Sequence, residues 1–284
     1  MNNAAAEFLR RHGMHPDCIP MAESCRRFLL EMKQGLKGEP SSLMMIPAYV
    51  SPEHQLPKDA CVAVLDAGGT NLRSGRCRIS DGSITLEQGQ VCPMPGTASP
   101  LSKEEFLEAL AEQLEPVLKD CAGLGFCFSF PAEITPDLDG ILLGFNKEVV
   151  VRDSAGMHIC QTLNETLARR GDPTQKFALI NDTVATLLGG YGATEPEAWD
   201  GYIGFILGTG TNCCYTEQVE KIEKLTDSPR HTMVVNVEAG GYGQFPTGDF
   251  DRAVDARSNN PGEHLYEKMV SGGYFGEIAL EMLR

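Results

Sequence analysis

Apolar residues recur at helical spacing from Ala22 to about Gly35, with Phe28, Leu29 and Met32 on one face, which predicts a helix with Gly35 as its stop. A polar stretch, Lys37–Ser42, follows, then Leu43–Val50 and a Pro- and His-containing loop to Asp59. From Cys61 the pattern changes to short apolar runs separated by turn residues. It predicts a meander of strands Cys61–Asp66, Leu72–Ile79 and Ser83–Cys92, with Asp81-Gly82 as the turn between the last two. Ser102–Leu118 opens on a capping box, Ser102 to Glu105, and continues with Phe106, Leu110 and Leu114 at helical spacing. A strand, Leu124–Phe130, and a looped segment through Lys147 precede a helix near Met157–Arg170, a strand at Lys176–Ile180 and a helix after Asp182. The strands Tyr202–Leu207 and Cys213–Glu217 then begin the same order again, and residues 249–258 and 262–283 read as helices. Strand–strand–strand–helix–strand–helix–strand order predicts an α/β fold, internally duplicated, with a shorter second half.

Composition narrows the partners. The chain has 284 residues and a formal charge of −15, which disfavours nucleic acid and acidic membranes as partners while leaving a local cationic pocket open. No apolar run is long enough to span a membrane, and the N-terminus shows no signal-peptide h-region. Ten cysteines without a framework read as reduced thiols of a cytoplasmic protein. The six histidines lack metal-ligand spacing, and Asp137-Leu138-Asp139-Gly140 reads as a hairpin turn rather than a calcium loop.

Two glycine turns carry the candidate chemistry. Asp66-Ala67-Gly68-Gly69-Thr70-Asn71 joins the first two strands, and Gly208-Thr209-Gly210-Thr211-Asn212 joins the Tyr202 and Cys213 strands. Glycines there can take positive φ and leave backbone N–H groups unshielded. Such a turn can wrap a phosphate, with Thr70 adding a hydroxyl and Asp66 placed to hold a hydrated Mg2+. One such turn alone reads equally well as an ordinary hairpin; the second copy favours the phosphate reading. The Walker pattern and a G-x-G-x-x-G entering a helix are both absent.

Taken together, the segments resemble the hexokinase family of the actin-like ATPase and sugar-kinase superfamily. LDAGGTN at 65–71 and LGTGTN at 207–212 are similar to its phosphate segments, LGFCFSFP at 124–131 to its sugar signature, and INDTVATLL at 180–188 to its catalytic segment. VVNVEAGGYG at 234–243 and PGEHLYEKMVSGGYFGEI at 261–278 resemble its two carboxylate-bearing sugar segments, and GLKGEPSSLMMIPAYV at 35–50 the lead-in to its small domain. The resemblance implies two ribonuclease-H-like domains around a cleft, the second incomplete here. The expected division is an N-terminal helical segment at 1–57, a small domain at 58–181 and the first part of a large domain at 182–284. It also implies phosphoryl transfer from MgATP to the 6-hydroxyl of glucose or a related hexose.

On that resemblance Asp182 is the general base, although an Asp opening a helix also serves as an N-cap. Ser129, Asn146, Lys147, Asn181, Asn212, Glu238 and Glu267 would contact the sugar, with Lys147 also offering a cation to the transferring phosphoryl. Carboxylates accept two hydroxyl protons and amides both donate and accept, so such a set reads hydroxyl stereochemistry. Asp66, Gly68, Gly69, Thr70 and Asn71, with Gly208, Thr209, Gly210 and Thr211, would hold the phosphates of ATP. Asp66 and Asp182 would meet Mg2+ through water.

Three departures from the family pattern stand out. Asn146 replaces an expected Thr, Ala239 precedes Gly240 where Trp-Gly is common, and family members continue past residue 284 into an adenosine segment. The sequence is accordingly expected to be a fragment of a longer hexokinase. A catalytically silent sugar-binding protein is the alternative, and an actin- or chaperone-like ATPase sharing only the glycine turns is a third reading.

Overall fold

The computed structural model describes residues 3–52, 57, 59–145, 149–192, 199–225 and 231–284. Helices α1 (Asn3–Arg11) and α2 (Met21–Lys37) precede a short strand, β1 (Ile46–Pro47). Next come β2 (Asp59–Ala67), β3 (Asn71–Ser80), β4 (Ser83–Pro93), β5 (Leu101–Ser102) and α3 (Lys103–Leu114). They are followed by β6 (Leu124–Phe128), β7 (Ala132–Ile134), β8 (Gly140–Leu142), β9 (Val151–Arg152), α4 (Ile159–Arg170), β10 (Phe177–Ile180) and α5 (Asp182–Gly192). The remainder comprises β11 (Ile203–Leu207), β12 (Thr211–Gln218), β13 (Thr232–Asn236), α6 (Asp249–Arg257), α7 (Leu265–Val270) and α8 (Gly272–Met282). The chain divides into two compact units, Ala48–Ala185 and Met1–Pro47 with Thr186–Arg284.

In the unit Ala48–Ala185 a five-stranded sheet has the order β10-β6-β2-β3-β4. The meander β2-β3-β4 is antiparallel, while β6 runs parallel to β2 and β10 parallel to β6. The parallel neighbours are reached through α3 and α4, as parallel pairing requires a crossover. Alternation along β2 places Ala63, Leu65 and Ala67 in a core shared with Phe126 and Phe128 of β6, Leu110 and Leu114 of α3, and Leu163 and Leu167 of α4. The register pairs Ala67 with Phe128 and Ile180 with Cys127, so the carboxyl ends of β2, β6 and β10 lie side by side. Open α/β sheets place ligands beyond such ends.

The strand expected over Leu124–Phe130 stops at Phe128: the Ser129 N–H gives the last ladder bond, to the Ala67 carbonyl (3.1 Å), and Pro131 has no N–H to continue it. Asp137–Gly140 is the expected turn, with Leu138 at φ 64° and the Thr135 N–H donating to the Asp139 carbonyl. The Asp139 carboxylate is buried and accepts from the N–H groups of Gly140, Cys160 and Gln161 at 2.6, 2.6 and 3.1 Å. It thereby caps α4 from a distant part of the chain, where His158 makes no side-chain cap.

In the other unit the sheet order is β1-β13-β12-β11, antiparallel throughout, which repeats the meander of the first. Helix α2 supports the loop after β13. Tyr242 is buried edge-on against Phe28, and the buried Glu31 carboxylate accepts from the Ser42 N–H, the Ser41 and Ser42 hydroxyls and Gln244 Nε2. Burial pushes the Glu31 pKa up, but these hydrogen bonds outweigh it and hold it below the usual value.

Gly35 does not stop α2. The helix runs to Lys37 and ends at Gly38, whose φ of 76° gives the left-handed cap. Gly35 lies inside because a Cβ there would fall under 3.0 Å from the Leu43 carbonyl oxygen and the Met45 side chain. Gly35→Ala is therefore expected to cost about 1–3 kcal/mol through overpacking against backbone. Its thermal melt, followed by circular dichroism, should fall by several degrees; an unchanged melt would contradict the close approach. The helix expected over 262–283 is two helices, broken at Ser271, whose φ of −88° and ψ of 154° are extended. Among the described residues no helix is long and apolar enough to cross a membrane.

Candidate active site

The first group of candidate residues lies at the carboxyl ends of β2, β6 and β10. Asp182 is the first residue of α5, and its carboxylate accepts a hydrogen bond from the Ser129 hydroxyl at 2.9 Å and another from the Thr183 hydroxyl at 3.2 Å. Asn181, not Asp182, caps the helix: its Oδ1 accepts from the Thr183 N–H (2.9 Å) and its carbonyl from the Ala185 N–H (2.9 Å). That leaves the aspartate a role other than capping, and leaves Asn181 its Nδ2 donor for a ligand.

Asp66 pairs with Cys127 one position before the β2–β6 pairing ends, and its carboxylate accepts from Arg73 Nη1 at 2.8 Å. The turn after it closes on itself through the Gly68 N–H and the Asn71 carbonyl (3.1 Å), while the Thr70 carbonyl accepts from the Met94 N–H. Positive φ is not what the turn glycines supply, since neither Gly68 nor Gly208 nor Gly210 is left-handed. Gly68 is needed for room, because a Cβ would stand 3.2 Å from the Asn71 carbonyl oxygen.

The second group is in the other unit, around the β11–β12 turn. The Gly208 N–H donates to the Gly210 carbonyl, and the carbonyls of Gly208 and Thr209 accept from the N–H groups of Gly272 and Gly273 at 2.7 and 3.1 Å. The first turn of α8 thus grips the glycine turn. Thr211 is buried, with its N–H donating to Glu267 Oε2 at 3.0 Å and its hydroxyl to the Ile206 carbonyl at 3.1 Å. A Cβ on Gly210 would fall under 3.0 Å from that Glu267 oxygen, and one on Gly240 would stand 2.9 Å from the Thr211 carbonyl oxygen and 3.2 Å from the Glu267 Cβ. Glu267 is held in place from behind: its neighbour Lys268, buried in α7, donates to Asp255 Oδ1, the Ser258 hydroxyl and the Asn260 carbonyl at 2.6, 2.9 and 2.7 Å. Paired and fully hydrogen-bonded, the buried ammonium fixes α7 on α6.

Asn212, Asn236 and Glu238 form one network. Asn212 Oδ1 accepts from the N–H groups of Cys213 and Ala239 (2.7 and 3.1 Å), and its Nδ2 donates to Asn236 Oδ1 (2.8 Å) and Glu238 Oε1 (3.3 Å). Asn236 Nδ2 donates to the same Glu238 oxygen at 2.7 Å. Glu238 sits at φ 57° and ψ 49°, a left-handed backbone that costs a non-glycine residue roughly 1–2 kcal/mol and persists where its surroundings fix it. Burial, and then the Glu238 charge, push the neighbouring Cys213 thiol up to about 11, so it is protonated at neutral pH.

For a divalent cation the donor set is sparse. Among the described residues no group of three or more His, Cys, Asp or Glu side chains could enclose a metal. Asp66 is a single carboxylate, partly exposed and beside Arg73. That suits a hydrated Mg2+ completed by waters and phosphate oxygens, which needs only one or two carboxylates from the protein.

Of the residues singled out from the sequence, Ser129, Asn181, Asp182, Asp66 and the Gly68–Asn71 turn lie in Ala48–Ala185. Asn212, Glu238, Glu267 and the Gly208–Thr211 turn lie in the other unit. Asn146 and Lys147 lie outside the described residues. Sequence reasoning missed Arg73 beside Asp66, Gly272 and Gly273 on the second turn, and Asn236. The signal for Asn236 was an amide among the valines of VVNVE.

Two family models, both described as Hexokinase, match residues 11–191 and 202–284. Hexokinase-1 of Oryza sativa subsp. japonica is 35% identical over 93% of the chain, and glucokinase of Aspergillus niger 32% identical over 91%. The chain spans 56% and 60% of those two relatives. A solved hexokinase from Schistosoma mansoni, complexed with glucose, superposes with a TM-score of 0.80 at 30% identity, over 91% of this chain and 61% of that one.

Proposed function

This chain belongs to the hexokinase family, and we propose that it transfers the γ-phosphoryl of MgATP to the 6-hydroxyl of glucose or a related hexose. The observation that carries the reading is the Asp182 carboxylate, held by the Ser129 hydroxyl at 2.9 Å beyond the carboxyl ends of three adjacent strands. In this reading Ala48–Ala185 corresponds to the small domain. Asp182 takes the proton of the attacking 6-hydroxyl, and the Ser129 hydrogen bond keeps its carboxylate aimed. Asn181 donates from Nδ2, since its Oδ1 caps α5. Glu238 and Glu267 accept sugar hydroxyl protons, so an epimer would leave one of them unpaired, while Asn212, its Nδ2 given to Asn236 and Glu238 and its Oδ1 to two backbone N–H groups, holds the Glu238 carboxylate in place. Asn146 and Lys147 complete the set.

The two glycine turns hold the phosphates, and Asp66 holds hydrated Mg2+, whose charge offsets that of the transferring group. Positioning and charge neutralisation account for most of phosphoryl transfer, so no covalent nucleophile is required of this chain. None of the ten cysteines, all among the described residues, forms a disulfide, which supports the cytoplasm as the working compartment.

Calorimetric titration with glucose and with 6-deoxyglucose tests the reading. Both sugars are expected to bind, because the cage recognises the ring, while only glucose should consume ATP. Failure of glucose to bind would overturn the hexose reading. ATP hydrolysis indifferent to sugar would favour an ATPase of the actin or chaperone type instead.

A further inference from the structure

Asn236 ends β13 in the interior of its sheet, between β12 and β1, and is 4% exposed. Met233, Val234 and Val235 before it and Val237 after it are all buried and apolar. An amide in such surroundings costs free energy unless both of its ends are bonded. Both ends are bonded here, and only to groups of the proposed sugar cage: Oδ1 accepts from Asn212 Nδ2 at 2.8 Å, and Nδ2 donates to Glu238 Oε1 at 2.7 Å.

The direction of this chain is fixed. The backbone N–H groups of Cys213 and Ala239 both point at Asn212 Oδ1, so Asn212 must turn its Nδ2 toward Asn236. Asn236 must then answer with Oδ1, which leaves its Nδ2 for the Glu238 carboxylate. Two backbone donors thereby set the orientation of one cage amide directly and of one cage carboxylate through Asn236.

We infer that Asn236 is a positioning residue for hexose binding, which aligns the Glu238 carboxylate and the Asn212 amide without touching the sugar; the inference rests on the hexose reading above. A residue serving only the sheet would be apolar here, since the neighbouring valines already supply the packing. An amide is retained because a carboxylate held at a left-handed backbone position needs a donor behind it.

Two variants separate positioning from packing. Asn236→Leu keeps the branching of the side chain but has neither donor nor acceptor, so in a variant whose cooperative melt shows it folded glucose should bind about 10-fold or more weakly. Asn236→Asp sets a second carboxylate against Glu238, and such a pair shares one proton. At low pH the protonated Asp can donate to Glu238 as the amide did. The variant should therefore approach wild-type affinity on acidification and lose it again as the pair ionises. Among the described residues, the titratable groups that β12 sets beside this pair are the Cys213 thiol, which burial and then the Glu238 charge push up, and Cys214, the register partner of Asn236, while β1 pairs with β13 through Ile46 and Pro47. Glucose is titrated into wild type and both variants from about pH 5 to pH 8. A wild-type-to-Asp ratio that widens with pH, with the Leu variant weak throughout, is expected. Equal affinity of wild type and Leu, or a ratio flat with pH, would overturn the inference while leaving the hexose reading intact. Absence of glucose binding by wild type would overturn both. If the Asp variant does not fold, the Leu variant alone decides.

Discussion

Asp182→Asn is expected to lower the turnover of hexose phosphorylation by about 10²- to 10⁴-fold, the usual share of a general base, with glucose affinity nearly unchanged. The amide matches the carboxylate in size and can still accept from the Ser129 hydroxyl, which donates at 2.9 Å in the native chain. It cannot take a proton from the sugar. Helix α5 should be undisturbed, because its cap is Asn181. Thermal melting and glucose titration of the variant should thus resemble wild type while kcat collapses. Undiminished turnover would remove Asp182 from the proton transfer.

Gly210→Ala is expected to weaken glucose binding by about 10- to 100-fold while the protein stays folded. The added Cβ would fall under 3.0 Å from Glu267 Oε2. The nearest atom is the far end of a flexible side chain, so the carboxylate gives way rather than the backbone. Its movement breaks the hydrogen bond from the Thr211 N–H (3.0 Å) and withdraws an acceptor from the sugar. A hydrogen bond to a charged group is worth about 1.5–3 kcal/mol, which sets the size of the effect. Parallel glucose titrations of Gly210→Ala and Glu267→Ala check it, since the two should lose comparable affinity. A wild-type affinity for Gly210→Ala would separate the carboxylate from the sugar.

Features set by local pattern were the ones legible in the chain. Alternation along Cys61–Asp66, the capping box at Ser102 and Glu105, and the paired glycine turns each depend on residues within a few positions of one another. The structure carries the first meander, the hairpin of the Tyr202 and Cys213 strands and the box as expected. The two sheets also bear out the α/β architecture. What the sequence hid depends on approach from afar. Gly35 reads as a helix stop until Leu43 and Met45 are seen pressing on it. Asp139 reads as a turn residue, yet its carboxylate closes the start of α4. The glycines of the second turn suggested unusual backbone angles, whereas Gly210 clears space for Glu267.

The same distinction holds among the candidate site residues. Ser129, Asn181 and Asp182 were singled out by the family resemblance of the FSFP and INDTVATLL segments, and the structure brings the Ser129 hydroxyl to Asp182. Asn236 was not singled out, because a single amide in a strand gains its meaning from Asn212 and Glu238, which only the β12–β13 pairing and the following turn bring to it.

The most direct measurement is transfer of label from [γ-32P]ATP in the presence of Mg2+ and glucose, with the product's phosphate position assigned by NMR. Hexose phosphorylation asks for glucose carrying the label on the 6-oxygen, formed by wild type and lost in Asp182→Asn. Label released only as inorganic phosphate, or glucose bound with no label transferred, would contradict it.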